Sequence, residues 1–127
     1  MKSKKLIIEI NQPVEKVFEF TIDPRNTPKW VDSIKYEEVD RWPVQVGTHY
    51  RNHGNNKVWS IYTVKSFEEN KKFVFQKNDN NYSVRYVFTP LAKDKTRLEY
   101  FEWVEKGNLE EPFTMEILEK LKSILEN

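Results

Sequence analysis

The side chains in this sequence that could do chemistry fall into three groups: six tyrosines, two histidines, and the carboxylates Glu38 and Glu102 set within tyrosine-bearing segments. A carboxyl turned toward an apolar, phenol-rich interior resists ionisation and can trade a proton near neutral pH, which suits a general acid or base. Glu102 is the catalytic candidate on this ground, and Glu38 shares its pattern. For each, the alternative is a strand-end position from which the carboxylate reaches water or a lysine. Tyrosine hydroxyls could orient a ligand or polarise a carbonyl. His49 and His53 have the spacing of a helical zinc pair, but their segment alternates as a strand. Four strand residues span about 13 Å, so the two rings cannot share one metal. The chain has no cysteine, which removes disulfides, thiolate metal sites and a cysteine nucleophile. Gly47, Gly54 and Gly107 are too scattered for a phosphate-cradling loop or a dinucleotide fingerprint, and no G-x-S-x-G elbow occurs. Neither a metal nor a cofactor is expected.

Those residues must be positioned by a definite order of elements. Lys5–Ile10 is apolar and β-branched and reads as a strand. Asn11-Gln12-Pro13 supplies a cap and an early proline, and Val14, Val17, Phe18 and Thr21 follow at helical spacing. Asp23-Pro24 restarts the pattern, with Pro28 limiting a second helix to a stub near Trp30 and Val31. From Ile34 the period becomes two. The expected strands are Ile34–Val39, Val46–Asn52, Lys57–Phe67, Lys72–Lys77, Tyr82–Thr89 and Thr96–Val104. The polar turns between them are short, which demands antiparallel neighbours. After Gly107 and Pro112, the residues Ile117, Leu118, Leu121, Ile124 and Leu125 share one face of a closing amphipathic helix. A strongly twisted seven-stranded sheet with one long apolar helix is most economically satisfied by curling around that helix. The fold class is therefore α+β, in the order β-α-α-β6-α.

Alternation assigns a face to each strand residue. Tyr82, Val84, Tyr86 and Phe88 point in against Ser83, Arg85 and Val87. Leu98, Tyr100, Glu102 and Val104 point in, as do Phe73 and Phe75. Val46, Thr48, Tyr50 and Asn52 form another inward set. Ile34, Tyr36 and Glu38 are placed inward against Lys35 and Glu37. In the fourth strand Val58, Ser60, Tyr62 and Val64 are preferred inward over Trp59 and Ile61. All six tyrosines thus carry inward parity. An unpaired buried phenol costs about 1–3 kcal/mol, so a dry core would be cheaper with Phe or Leu. The pattern points to a cavity that holds water or a ligand with an apolar body and polar groups. The alternative is a packed core in which the phenols bond one another or the backbone. Phe101, Trp103 and Val87, with Trp59 and Ile61, fall on the outer face. An exposed aromatic patch suits a protein partner or a second copy, and a homodimer is the corresponding expectation.

Composition narrows the classes further. The chain has 127 residues, the size of one domain, with 21 Lys+Arg against 20 Asp+Glu and a net charge of +1. No basic field or aromatic-interleaved basic stripe steers it to nucleic acid. No apolar run approaches the roughly 18 residues of a membrane helix. The basic start leads into only Leu6-Ile7-Ile8 before Glu9, too short for a signal-peptide core. A soluble cytoplasmic protein with no nucleic-acid or membrane partner is expected.

At this point the sequence resembles the helix-grip superfamily of START domains, the birch-pollen allergen family and bacterial polyketide cyclase/dehydrase-like proteins. The carriers are the run Ile8-Glu9-Ile10-Asn11-Gln12-Pro13-Val14-Glu15-Lys16-Val17-Phe18, then Asp23-Pro24 with Trp30. They continue with Val46-Gly47-Thr48, and with Val64 to Phe67 ahead of Phe73-Val74-Phe75. The similarity runs from about residue 6 to the end and implies one helix-grip domain over residues 1–127. It also implies a strand order that puts the Glu38 and Glu102 strands beside the first strand. The resemblance implies a small amphipathic, aromatic or lipid-like ligand held between the sheet and the Pro112–Leu125 helix. Its expected contacts are Trp30, Tyr36, Tyr50, Tyr62, Phe73, Phe75, Tyr82, Tyr86 and Tyr100. It equally implies an enzyme in which Glu102 exchanges a proton with a polyketone substrate, or an interaction module using the outward aromatics. Binding and catalysis both stay open from sequence.

Overall fold

Turns of a few polar residues join most of the period-two segments, so consecutive strands pair as antiparallel neighbours. The computed structural model describes all residues, Met1–Asn127. In chain order they are β1 (Lys2–Ile10), α1 (Val14–Ile22), α2 (Thr27–Trp30), β2 (Tyr36–Val39), β3 (His49–His53), β4 (Ser60–Glu68), β5 (Lys72–Lys77), β6 (Tyr82–Ala92), β7 (Lys95–Val104) and α3 (Met115–Glu126). They form one curved seven-stranded antiparallel sheet in the order β1-β7-β6-β5-β4-β3-β2. This is the helix-grip α+β architecture that the order of elements implied.

The sheet order corrects one expectation. β7, which carries Glu102, does lie beside β1, but β2 is at the opposite edge. The α1–α2 segment takes the chain from one edge of the sheet to the other before β2 begins, so β2 finds only β3 as a neighbour.

Nineteen buried side chains form one apolar cluster between the sheet and the helices. α1 contributes Val17, Phe18 and Ile22, and α3 contributes Leu118, Leu121 and Leu125, all nearly free of solvent. α3 starts at Met115 rather than Pro112 and packs on β1 and α2. Asn11 and Gln12 do not cap α1 as anticipated. The Asn11 backbone N–H donates to Glu126 Oε2 at 2.7 Å, and Gln12 Nε2 donates to the Leu125 carbonyl at 2.6 Å. The last carbonyls of a helix lack intrahelical partners, and the α1 entry serves that need at the end of α3.

Several strand limits differ from the alternating pattern for local reasons. β3 begins at His49 because Gln45–Thr48 is a turn, with Gly47 at φ +93° and Thr48 Oγ1 accepting the Gln45 N–H. Val46 is consequently exposed. β4 begins at Ser60 because Lys57 adopts φ +59° and Asn56 Oδ1 caps the Val58 N–H, which leaves Val58 outside rather than inside. A register shift between Val64 and Ser66 then changes the phase of β4, so that Phe67 packs on the core. β6 and β7 run into a tight hairpin, Ala92 pairing with Lys95, across the segment where a breaker was expected.

Candidate ligand-binding cavity

Cross-strand partners in an antiparallel sheet share a face. Here the inward face repeatedly sets ring against ring: Tyr50 opposite Tyr62, Phe73 opposite Tyr86, and Tyr86 opposite Tyr100. Where these rings meet the end of α1 and the Thr27 and Trp30 side of α2, they leave a cavity of about 80 Å³. The sheet supplies Glu37, Tyr50, Asn52, Tyr62, Phe73, Phe75, Tyr82, Val84, Tyr86 and Tyr100. Thr21, Ile22, Thr27, Trp30, Val31 and Ile34 close it from the helical side, and Phe113 closes it just ahead of α3.

Eight of the nine residues expected to line a site therefore do line this cavity. They are Trp30, Tyr50, Tyr62, Phe73, Phe75, Tyr82, Tyr86 and Tyr100. Tyr36 does not. It is 48% exposed on the outer face, stacked on His53 and edge-on to Trp59. Glu38 is also outside, paired with Arg51 at 2.7 Å. The reason is a phase error in β2. Ile34 does face the cavity, but Ser33–Lys35 is not strand, so alternation cannot be counted through it. The ladder sets Glu37 against Asn52 and Val39 against Tyr50, which turns Glu37 inward. The location is corrected too: no residue of α3 lines the cavity, because its apolar face is spent on the core.

The inward phenols divide into two kinds. Tyr50 donates to the carbonyl of Ile22, the last residue of α1, at 2.5 Å. Tyr82 and Tyr100 both donate to Glu102 Oε1, at 2.7 and 3.0 Å. The hydroxyls of Tyr62 and Tyr86 make no hydrogen bond within the protein, and both residues line the cavity. Burial pushes the Tyr62 phenol up to about 12 and holds that of Tyr86 well above the ordinary range. Both stay protonated as neutral donors. Trp30 Nε1, by contrast, is fully buried without a partner, whereas the Tyr62 and Tyr86 hydroxyls keep some accessible surface within the cavity.

Glu102 is fully buried but does not line the cavity. Its Oε1 takes the two phenols, and its Oε2 accepts the Phe113 backbone N–H at 3.0 Å. Phe113 in turn stacks on Tyr100, ring centroids 4.3 Å apart and planes 1° from parallel, and meets Trp30 edge-on at 6.1 Å. One carboxyl thus fixes three parts of the aromatic wall from behind. It reaches the cavity only through the Tyr82 and Tyr100 hydroxyls.

Glu37 is the carboxyl that alternation missed. Thr27 Oγ1 donates to its Oε1 at 2.6 Å and Asn52 Nδ2 to its Oε2 at 3.0 Å. Part of the residue meets solvent, yet the surrounding rings desolvate its carboxyl. Desolvation outweighs the two hydrogen bonds and raises its pKa to about 7. The inward parity of Asn52 was the available signal, because a buried amide on a sheet face needs a polar partner across the ladder.

On the outer face, the histidines serve local contacts. His49 Nδ1 lies 2.7 Å from Asp40, and His53 Nδ1 bonds the Gly54 carbonyl at 2.9 Å. The outward aromatics form two groups. Phe101 and Trp103 are half-buried against each other, with Arg85 over the Phe101 ring. Trp59 is 41% exposed, beneath Arg51 at 4.3 Å and beside Tyr36 and His53. No helix is long and apolar enough to cross a membrane.

Comparison with known proteins agrees with this architecture. A family model described as polyketide cyclase / dehydrase and lipid transport matches residues 5–126. A START superfamily protein from Mycobacterium smegmatis superposes with a TM-score of 0.75 at 18% identity, covering 98% of this chain and 97% of that one. The protein XoxI from Bacillus cereus gives 0.75 at 11% identity over 100% and 97%. The di-domain ARO/CYC protein BexL of the BE-7585A biosynthetic pathway gives 0.67 at 9% identity, covering 82% of this chain but 36% of BexL. At these identities the likeness is one of fold. No curated protein matches in sequence.

Proposed function

This chain belongs to the polyketide cyclase / dehydrase and lipid transport family, and we propose that it binds a small amphipathic molecule in the cavity between the sheet and α1–α2. The observation that carries this reading is the pair of cavity phenols, Tyr62 and Tyr86, left without protein acceptors among rings that otherwise pack closely. A dry core has no use for such hydroxyls. A guest of a few heavy atoms with a polar end fits a cavity of about 80 Å³, with the aromatic wall taking its body and the phenols its polar atoms. On this reading Glu102 is a positioning residue, holding Tyr82, Tyr100 and Phe113 in place.

Titration calorimetry with 1-propanol, whose size suits the cavity, tests the proposal. Saturable binding is expected in the parent protein and is lost in Val84→Phe, which fills the cavity from a lining position. Circular dichroism establishes that this variant is folded, and Val84→Leu grades the effect if it is not. Binding that survives in a folded, filled variant overturns the reading. Native mass spectrometry of freshly purified protein reports any co-purifying molecule.

A second reading, catalysis, is favoured by Glu37 in place of Glu102. Glu37 lines the cavity and titrates near neutrality, where a carboxyl can both take and return a proton. On a β-hydroxyketone substrate it would remove the α proton and return it to the departing β-hydroxide, breaking the C–O bond, forming the enone C=C bond and releasing water. Tyr62 or Tyr86 would donate to the carbonyl oxygen. Glu37→Gln would then abolish turnover while sparing binding, whereas loss of turnover only in Glu102→Gln would return the role to Glu102.

A further inference from the structure

Charge within the cavity wall is one-sided. Glu37 is the single ionisable acid or base among the non-phenolic lining residues, and no Lys, Arg or His lines the site. Other carboxylates in the fold have cations: Glu9 has Lys95, Asp23 has Arg25, Glu38 has Arg51 and Glu99 has Arg85. The buried Glu102 has three donors instead. Glu37 has two, one on each oxygen, so each oxygen keeps a lone pair for another donor. A desolvated carboxylate without a counter-ion is costly, and a cation brought by a ligand relieves that cost.

The remaining surface suits the same partner. Ring faces attract a desolvated cation, and Tyr62 and Tyr86 offer hydroxyl lone pairs beside the rings. An anionic ligand would meet Glu37 with no basic residue to balance it. We propose that the cavity selects a small organic cation, a protonated amine on a short aliphatic body, anchored at the Glu37 carboxylate. The inference rests on the cavity being the binding site.

The titratable groups facing Glu37 are phenols: Tyr50 on β3, Tyr62 on β4 and Tyr86 on β6, all held above the ordinary range and neutral at working pH. From α2 it meets the uncharged Thr27, and Lys29 bonds Asn26 instead. Arg51, on the neighbouring strand, faces the other side of the sheet and pairs with Glu38. Ligand pH dependence in this range therefore reports Glu37.

Three probes of nearly equal shape distinguish the charge states: propylamine, 1-propanol and propionate, titrated calorimetrically into the parent protein and Glu37→Gln. Above neutrality, propylamine is expected to bind about tenfold or more tighter than the alcohol, with propionate weakest. Glu37→Gln should bring the amine down to the alcohol while leaving the alcohol in place. Amine affinity should rise between about pH 5.5 and about pH 8 in the parent and stay flat in the variant. An alcohol that binds as tightly as the amine, a preference that survives in Glu37→Gln, or an amine affinity that falls with pH overturns the cation assignment and leaves the cavity reading standing. Failure of all three probes to bind overturns both.

Discussion

Glu37 and Asn52 face each other across the β2–β3 ladder, and the Asn52 amide donates to Glu37 Oε2 inside a wall of aromatic rings. The pairing places a carboxyl where water solvates it poorly, and its pKa of about 7 lies above its ordinary value of 4.5. The folded state therefore binds the Glu37 proton more tightly than the unfolded chain does. The resulting stability is fully present below pH 4.5 and is lost as pH rises through about 7. Urea unfolding across that window should show this group costing the protein at most about 3 kcal/mol by the alkaline end. Glu37→Gln should remove that slope, and a parent-like slope in the variant would assign it elsewhere.

Thr27 works against desolvation, since its hydroxyl favours the charged form of Glu37. Thr27→Val should raise the Glu37 pKa further, by up to about one unit. Carbon-detected NMR titration of the Glu37 carboxyl reads the shift directly. A lowered value would contradict the hydrogen-bond geometry.

Glu102 has a different energetic role. Removing its carboxyl in Glu102→Leu leaves the Tyr82 and Tyr100 hydroxyls and the Phe113 N–H buried without their acceptor. A loss of about 2–4 kcal/mol is expected in chemical denaturation. Adding Tyr82→Phe and Tyr100→Phe should recover part of it, because the stranded donors are then gone. A loss under about 0.5 kcal/mol would mean the network is not holding the wall.

Tyr86→Phe and Tyr36→Phe separate the two faces of the sheet. The first deletes a cavity hydroxyl with no protein partner, and should weaken binding of a polar-armed ligand by about 0.5–1.5 kcal/mol. The second alters an outer-face ring, and its binding isotherm should overlay the parent's. A binding loss at Tyr36 would restore the inward orientation that alternation suggested.

Leu121→Ala probes α3. Leu121 is fully buried in the core and absent from the cavity wall, so a stability loss of about 2–5 kcal/mol is expected with little change in ligand affinity measured well below the melting temperature.

Much of the cavity was legible because alternation is reliable where a strand is long and paired on both sides. β5, β6 and β7 are such strands, and Phe73, Phe75, Tyr82, Tyr86 and Tyr100 lie where parity put them. The misreadings cluster where the backbone leaves the strand. β2 has four residues, pairs on one side only and follows a turn, so Ile34-Lys35-Tyr36-Glu37-Glu38 imitates an alternation that the chain does not keep. The shift at Val64–Ser66 likewise moves Phe67 to the inner face. Phe113 lies in the irregular segment before α3, where no period applies, and it is fixed by its N–H bond to Glu102 and its stack on Tyr100. The resemblance carried over the fold, but not which acid faces the inner cavity.

Because α3 contributes to the core and nothing to the cavity wall, the segments that shape the hollow are separate from the segment that locks the scaffold. Substitutions on α2 and β2 can reshape the cavity without loosening the seam formed by Leu118, Leu121 and Leu125. A change in the shape of the hollow can thus arise at small mechanical cost, which leaves the interior of this architecture free to vary while its frame stays intact.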